Sequence, residues 1–255
     1  MAHASTYRGR FAPTPSGPLH FGSIVTALAG YLDARRQGGE WHLRIDDIDA
    51  PRSRADAPTQ IRRELVRLGL GWDGEVVHQH RRLDRYIATR EALEASGRVF
   101  PCACSRRDAG PGPYPGYCRD GIPRGRTARS LRFRLADLGI QQLADRVHGP
   151  RAIALDATTG DFVVWRADGL PAYHLAAVTD DHDLGITDIV RGYDLMESSA
   201  AQQALYTALG WPVPRFAHVP LAVGPSGVKL SKANEAPPTT LSPPGEILVT
   251  ALSHL

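Results

Sequence analysis

Arg8-Gly9-Arg10-Phe11-Ala12-Pro13-Thr14-Pro15-Ser16-Gly17-Pro18-Leu19-His20-Phe21-Gly22-Ser23 is the stretch whose reading decides the fold. Arg8 to Ala12 reads as a short strand, and the run from Pro13 to Pro18 stops it. A helix follows: Ile24, Ala27, Leu28, Tyr31 and Leu32 recur at i, i+3, i+4, i+7 and i+8 and make one apolar face. Arg35, Arg36 and Gly38 suit its C-terminal end. Trp41 to Ile45 reads as a second strand ending at Asp46-Asp47-Ile48-Asp49. A helix from near Pro58 carries Ile61, Leu65 and Leu68, and another runs from about Leu83 to Ala95. Strand, helix, strand, helix from the N-terminus predicts a parallel α/β sheet of the nucleotide-binding type.

The junction itself suits phosphate. Leu19-His20-Phe21-Gly22 opens the helix, where free amides and a partial positive charge favour anions. His20 there can donate a hydrogen bond to a phosphate, and Gly22 lets a flat base approach the backbone. Far downstream, Lys229 and Lys232 follow Gly224-Pro225-Ser226-Gly227. Two lysines on a glycine loop can close on the charge of a leaving pyrophosphate.

The middle of the chain changes character. Cys102 to Arg129 is rich in Gly, Pro and Arg with little periodicity, and Phe100 to about Thr158 reads as an insertion. Leu131, Phe133 and Leu135 alternate as a strand; Phe162 to Trp165 is another, before an Asp168-Gly169 turn. Tyr173 to Val178 reads as a strand resuming the sheet, Ser199 to Leu209 as a helix, and Ile247 to Leu255 as an apolar helical pattern. Asp180-Asp181-His182-Asp183 reads as the cap of a loop leading to Arg191. His78, His80, His148, His174 and His182 share no metal spacing and read as structural or solvent-facing, and Trp41, Trp72, Trp165 and Trp211 as core.

Composition narrows the rest. The 255 residues fit one large domain or a domain carrying an insertion, and 42% apolar residues suffice for a core. No stretch nears the ~20 apolar residues of a membrane span, and Met1 to Thr6 lacks a signal-peptide core, so a cytoplasmic protein is expected. Lys and Arg number 30 against 27 Asp and Glu, and the resulting +3 does not by itself indicate nucleic acid. Arg119, Arg124, Arg126, Arg129, Arg132 and Arg134 do crowd one segment, either as a solvated face or as a phosphate track. Cys102, Cys104 and Cys118 are too few for a disulfide framework but suit tetrahedral zinc; spacing leaves a fourth ligand open among Asp108, Tyr114, Tyr117 and Asp120.

His20-Phe21-Gly22-Ser23 and Lys229-Leu230-Ser231-Lys232-Ala233 resemble the two signatures of class I aminoacyl-tRNA synthetases. Arg10 to Gly17, Arg44-Ile45-Asp46-Asp47-Ile48-Asp49 and Ile189-Val190-Arg191-Gly192-Tyr193-Asp194-Leu195 narrow the resemblance to the glutamyl-tRNA synthetase group. It runs from about Tyr7 to Ala236 in the right order. The resemblance implies a Rossmann-type parallel sheet with a zinc-containing insertion: residues 1–99 and 159–236 form the two catalytic halves, 100–158 the insertion and 237–255 a tail. It implies ATP handling by His20, Gly22, Ser23, Lys229, Ser231 and Lys232. Glutamate contacts fall on Arg10, Phe11, Ala12, Pro13, Thr14, Asp46, Tyr173 and Arg191. Arg10 and Arg191 would then hold carboxylates, Asp46 the ammonium, and Tyr173 would orient the group. The family's Cys-x-Cys pattern, with Tyr four residues before the last Cys, selects Tyr114 as the fourth ligand of a structural zinc.

Two departures stand out. Asp46 occupies a place where the group usually has Glu, one methylene longer. Ser23 replaces the last histidine of the general class I signature, as is usual in this subgroup, leaving His20 as the only signature histidine. Only 23 residues follow Lys232, too few for an anticodon-binding domain. The resemblance is therefore to the short glutamyl-Q tRNA(Asp) synthetases, which activate glutamate with ATP and Mg²⁺ and attach it to queuosine at the wobble position of tRNA(Asp). A monomer is expected. The alternatives are a truncated glutamyl-tRNA synthetase charging tRNA(Glu), a nucleotidyltransferase unrelated to tRNA, and an inactive tRNA-binding module. Intact His20, Arg191, Lys229 and Lys232 argue against the last.

Overall fold

The computed structural model describes residues 6–48, 53–221 and 242–255. β1 (Arg8–Phe11) and β2 (Glu40–Ile45) pair in parallel, from Arg8 opposite Glu40 to Phe11 opposite Leu43. The helix between them, α1 (Phe21–Arg36), buries Ile24, Val25, Ala27 and Leu28. That is the predicted face with Val25 added, while Leu32 is exposed. The return into β2 needs glycine at Gly39: a Cβ there would sit 2.3 Å from the Tyr7 carbonyl oxygen. α2 (Ala57–Arg67) leads to β3 (Val77–His78), which extends the sheet in parallel beside β2, and then to α3 (Leu83–Ala95). Up to this point the elements are those expected from the periodicity, with the two-residue β3 added.

β4 (Val99–Cys102), the single turn α4 (Arg106–Ala109) and β5 (Ser130–Phe133) begin a separate antiparallel sheet, completed by β8 (Val163–Trp165). Between them in sequence, β6 (Ile140–Asp145) and β7 (Gly149–Ala154) form a hairpin, followed by the short α5 (Leu155–Thr158). This hairpin stands in the other half of the catalytic sheet. β9 (Asp188–Gly192) and β10 (Arg215–Val219) are parallel neighbours, and β6 lies along the far side of β10. Residues 100–158 are thus shared between two sheets. The backbone N–H of Arg8 donates to Thr187 Oγ1 and that of Thr187 to the Arg8 carbonyl, both at 2.9 Å, which brings β9 alongside β1.

One element differs in type from its expectation. Tyr173 to Val178 is not a strand but the start of α6 (Tyr173–Asp183). Ala172 is extended after Pro171, and Leu175, Ala176, Val178 and Thr179 are buried at helical spacing. The segment is buried on so many sides that its apolar run carries no clear period. The acidic Asp180-Asp181-His182-Asp183 consequently forms the last turn of a helix, not a loop cap. α7 (Met196–Leu209) and α8 (Pro244–Ser253) are helices as expected.

Two cores result. Trp41, stacked on Phe11 at 6.0 Å and edge-on to Tyr31, centres the first, which α8 covers with Ile247 and Ala251. The second gathers Tyr86, Leu93, Phe133, Leu175 and Leu205 from α3, β5, α6 and α7. Trp165 belongs to it, whereas Trp72 and Trp211 pack half-buried at the margins of the two cores.

Candidate active site

The C-terminal ends of β1, β2 and β9 and the start of α1 surround a cavity of about 430 Å³. Ligands collect at such strand ends in parallel α/β sheets because the loops and helix N-termini converge there. Its walls bring together every described residue assigned above to ATP and glutamate: Arg10 to Thr14, His20, Gly22, Ser23, Asp46, Tyr173 and Arg191. Lys229, Ser231 and Lys232 lie outside the described residues. His20 is the N-cap of α1: its Nδ1 accepts from the Ser23 N–H at 3.2 Å, and its Nε2 lies 3.0 Å from Ser23 Oγ. The histidine and serine of the signature therefore hold one another at the helix mouth.

Charge in the cavity is organised by α6. Arg44 is buried and reaches Asp46 Oδ1 through Nε at 2.6 Å and Asp181 Oδ1 through Nη1 at 2.5 Å. Arg10 Nε reaches the same Asp181 at 3.1 Å. Burial pushes the Asp181 carboxyl up, but Arg10 and Arg44 outweigh it and hold its pKa below the ordinary value. Burial raises Asp46 more than Arg44 lowers it, helped by repulsion from Asp180 and Asp181. The Asp46 carboxylate is thus already engaged by Arg44, so a ligand ammonium would share it.

Arg191 is different. It is 3% exposed, Nη2 donates to Gln202 Oε1 at 2.7 Å, and Nε and Nη1 have no hydrogen-bond partner among the described residues. Burial holds its pKa below the usual guanidinium value. A buried cation with unspent donors is unfavourable alone and is relieved by an anion. Gln202 Nε2 and Tyr206 Oη nearby are buried and unpartnered as well.

A second, wider cavity of about 1080 Å³ shares Thr14, Asp46 and Tyr173 with the first and extends over the small sheet. Arg106, Arg129, Arg132 and Arg166 line it. Of the arginine-rich segment, Arg129 and Arg132 face this cavity, Arg126 pairs with Asp108, and Arg119 with Asp161.

The three cysteines converge. Cys104 Sγ lies 3.7 Å from Cys118 Sγ, and Tyr114 Oη lies 3.5 Å from Cys102 Sγ and 3.6 Å from Cys104 Sγ. A zinc tetrahedron with ~2.3 Å Zn–S bonds has sulfurs about 3.8 Å apart, so this donor set fits the ion. Of the four residues left open by spacing, Tyr114 is the one whose oxygen meets the sulfurs. Burial opposes ionisation of Cys102, yet hydrogen bonds from Tyr114, the Cys104 N–H and Arg132 bring its thiol down to about 7. Arg132 also lies 3.7 Å over the Tyr114 ring.

Sequence reasoning passes over Arg44, Asp181, Gln202 and Tyr206. Asp181 carries a usable signal: once Tyr173 begins a helix, Ala177 and Asp181 share its face at i+4 and i+8. His218 carries none. It sits between Ser199 Oγ at 2.7 Å and Asp145 Oδ2 at 2.6 Å, a serine–histidine–aspartate arrangement that is fully buried and serves to lock β10 against α7 and β6. The structure also brings His78 and His80 together at Asp47.

Comparison with known proteins places this site, a helix-capping histidine at the mouth of a parallel sheet beside buried arginines and aspartates, in a class. The family model described as tRNA synthetases class I (E and Q), catalytic domain, matches residues 6–108 and 120–240, so the chain carries a class I synthetase catalytic domain. A glutamyl-Q tRNA(Asp) synthetase of Aromatoleum aromaticum is 48% identical over 260 residues, covering 99% of this chain and 82% of that relative. One from Geobacter sulfurreducens is 46% identical over 239 residues, covering 89% and 76%. A solved glutamate tRNA ligase from Elizabethkingia meningosepticum, in complex with its amino acid, superposes with a TM-score of 0.80 at 30% identity. That match covers 91% of this chain, which spans about half (53%) of the ligase chain. The chain belongs to the glutamyl-Q tRNA(Asp) synthetases, within this class I family.

Proposed function

We propose that the protein condenses glutamate with ATP to glutamyl-adenylate and transfers the glutamyl group to queuosine in the anticodon of tRNA(Asp). The observation that carries this reading is Arg191: a buried guanidinium with Nε and Nη1 unpartnered in the wall of the cavity that also holds His20 and Asp46. Glutamate offers two carboxylates and one ammonium. Arg191 supplies charge and open N–H donors for one carboxylate, Arg10 lines the same cavity for the other, and Asp46 with Tyr173 addresses the ammonium end.

The first step needs no protein nucleophile. A carboxylate oxygen of glutamate attacks the α-phosphorus of ATP, and the bond to pyrophosphate breaks; Mg²⁺ accompanying ATP offsets phosphate charge. The α1 amides behind His20 face the phosphates, with Lys229 and Lys232 assigned to the leaving pyrophosphate. In the second step a queuosine hydroxyl attacks the acyl carbon, the bond to AMP breaks, and the hydroxyl proton leaves with the phosphate. The wider cavity, open to the first at Thr14, Asp46 and Tyr173, admits the anticodon nucleotide, and Arg106, Arg129 and Arg166 meet the flanking tRNA phosphates. Cys102, Cys104, Cys118 and Tyr114 would hold a zinc ion whose chemistry there is cross-linking. No helix among the described residues is long and apolar enough to cross a membrane, and a cytoplasmic monomer fits the reading.

The test is glutamylation of tRNA(Asp) with and without queuosine, followed by acid-gel or mass analysis of the anticodon nucleoside. Label appearing on queuosine alone is the expected result. Charging of the 3′ end of tRNA(Glu) overturns it.

A further inference from the structure

Asp47, His78 and His80 lie outside the cavity that holds substrate and are not needed by the reaction above. They open into a separate depression that Pro15, Arg54 and Trp72 also line. Asp47 Oδ2 is 2.8 Å from His78 Nδ1 and 2.8 Å from His80 Nδ1, and the three donor atoms all fall within 4.8 Å of one another. We propose that these three side chains form a binding site for one divalent transition-metal ion of the zinc or nickel type, separate from the cysteine cluster.

The scaffold is set up for convergence. His78 ends β3, directly opposite Ile45 of β2, and Asp47 follows that strand by two residues. Gln79, between the histidines, is buried and donates to Asp180 Oδ2 at 2.7 Å, which anchors the turn and turns both imidazoles to the same side. The other Asp47 oxygen, Oδ1, accepts the His80 backbone N–H at 2.9 Å, so Oδ2 is aimed at the two rings. A ligand oxygen fixed by a hydrogen bond to its partner oxygen is the arrangement that supports metal carboxylates. The rings cross at 63° with centroids 5.5 Å apart, so they meet at their nitrogens and not face to face.

The donor set selects the ion. Two imidazole nitrogens and one carboxylate oxygen suit zinc, nickel or copper, and suit magnesium or calcium poorly. Arg54, Arg62 and Arg81 around the depression likewise disfavour ions held by charge alone. Around a metal with ~2.0–2.2 Å bonds, nitrogen and oxygen stand about 3.3 Å apart, so each ring retreats by about half an ångström. His80, 51% exposed, has room to do so. Each imidazole carries its proton on Nδ1 when it donates to Asp47 and must carry it on Nε2 when Nδ1 binds metal. The 3.3 Å contact from Arg81 Nε to His80 Nε2 is released in that exchange, with no net proton change. Three protein ligands leave a fourth position for water. A cation here would tie the end of β2 to the turn after β3, one residue from Asp46.

Counting metal tests this. Wild type, His78→Ala, His80→Ala and Asp47→Asn are brought to equilibrium by dialysis against the same free zinc concentration, and zinc per chain is measured by plasma emission. Because the comparison is a difference, zinc at the cysteines cancels. Wild type should hold one equivalent more than each variant; equal zinc in wild type and His80→Ala overturns the site. Nickel at substoichiometric levels gives an independent reading by broadening the imidazole proton resonances of His78 and His80. Resonances that stay sharp overturn the proposal equally.

Discussion

At Arg191 a single buried side chain combines an energetic cost with the substrate role proposed for it. Its Nη2 is spent on Gln202, while Nε and Nη1 are buried without partners. A charge-assisted hydrogen bond contributes about 1.5–3 kcal/mol, so losing it weakens carboxylate binding by tenfold or more. Arg191→Ala should raise the glutamate KM at least ~10-fold in ATP–pyrophosphate exchange while the ATP KM stays near wild type. An unchanged glutamate KM removes Arg191 from the substrate. The acid side of the stability curve is also set by residues. The depressed pKa values of Asp181 and Asp145 stabilise the fold above the ordinary carboxylate pKa of about 3.9, and that contribution is lost as pH falls through their lower native values. Asp46 acts in the opposite sense, since its raised pKa favours the protonated native form. Burial holds His174 down to about 4 and lowers His218 as well, so both stay neutral while the unfolded chain's histidines protonate, and stability is lost as pH falls below about 6.5. The melting temperature should therefore decline from about pH 6.5 and fall further below about pH 4 as the carboxylates protonate. In Asp181→Asn the acid limb should be shallower; a limb of wild-type steepness would exclude Asp181 as its source.

Among the secondary-structure elements, α6 matters most because its last turn neutralises the arginines at the strand ends. Asp181 faces Arg10 from β1 and Arg44 from β2; Asp180 faces Arg82. Asp181→Ala would strand the buried Arg10 guanidinium and leave Arg44 to Asp46 and Asp180, a loss of about 3–5 kcal/mol measurable by urea unfolding. The period of α6 is illegible in the sequence because residues 175–181 are buried throughout, so helical and strand patterns look alike. α1 and α2 are legible because each carries an apolar face at helical spacing, whereas β1 and β2, buried on both faces, are legible as short runs bounded by turn residues. The cysteine segment is held differently. Its own apolar cluster is small, Phe100, Cys102, Ala103, Cys104, Tyr114 and Cys118, so a metal held there would stand in for a core. Cys104→Ser, or a chelator, should abolish metal binding by this segment and lower its resistance to proteolysis between 103 and 129 first. Cleavage at wild-type rate would show that the segment stands without metal.

Across the molecule the proposed substrates fall to two adjoining cavities. The inner one is walled by β1, β2, β9 and α1, the outer one by the small sheet and α6, and they meet at Thr14, Asp46 and Tyr173. Arg129→Ala combined with Arg106→Ala should weaken tRNA binding and flatten its dependence on salt, by ~0.7–0.9 in the log–log slope for each phosphate deprived of its arginine. Glutamate-dependent pyrophosphate exchange should be spared. Abolished exchange in that variant would mean that the cavities do not act separately. The α/β class and the strand–turn–helix at His20 are written in the chain itself, as local periods and short motifs that survive without knowledge of the fold. That Arg10, Asp46, Tyr173 and Arg191 share one site, and that Tyr114 joins the cysteines, follows from the resemblance to a known family, and the structure brings each group together. Three-dimensional packing was needed to establish that Asp181 holds Arg10 and Arg44 and that His78 and His80 converge on Asp47. Those contacts join residues 31 to 171 positions apart, and such proximities are set by packing between elements and not by spacing along the chain.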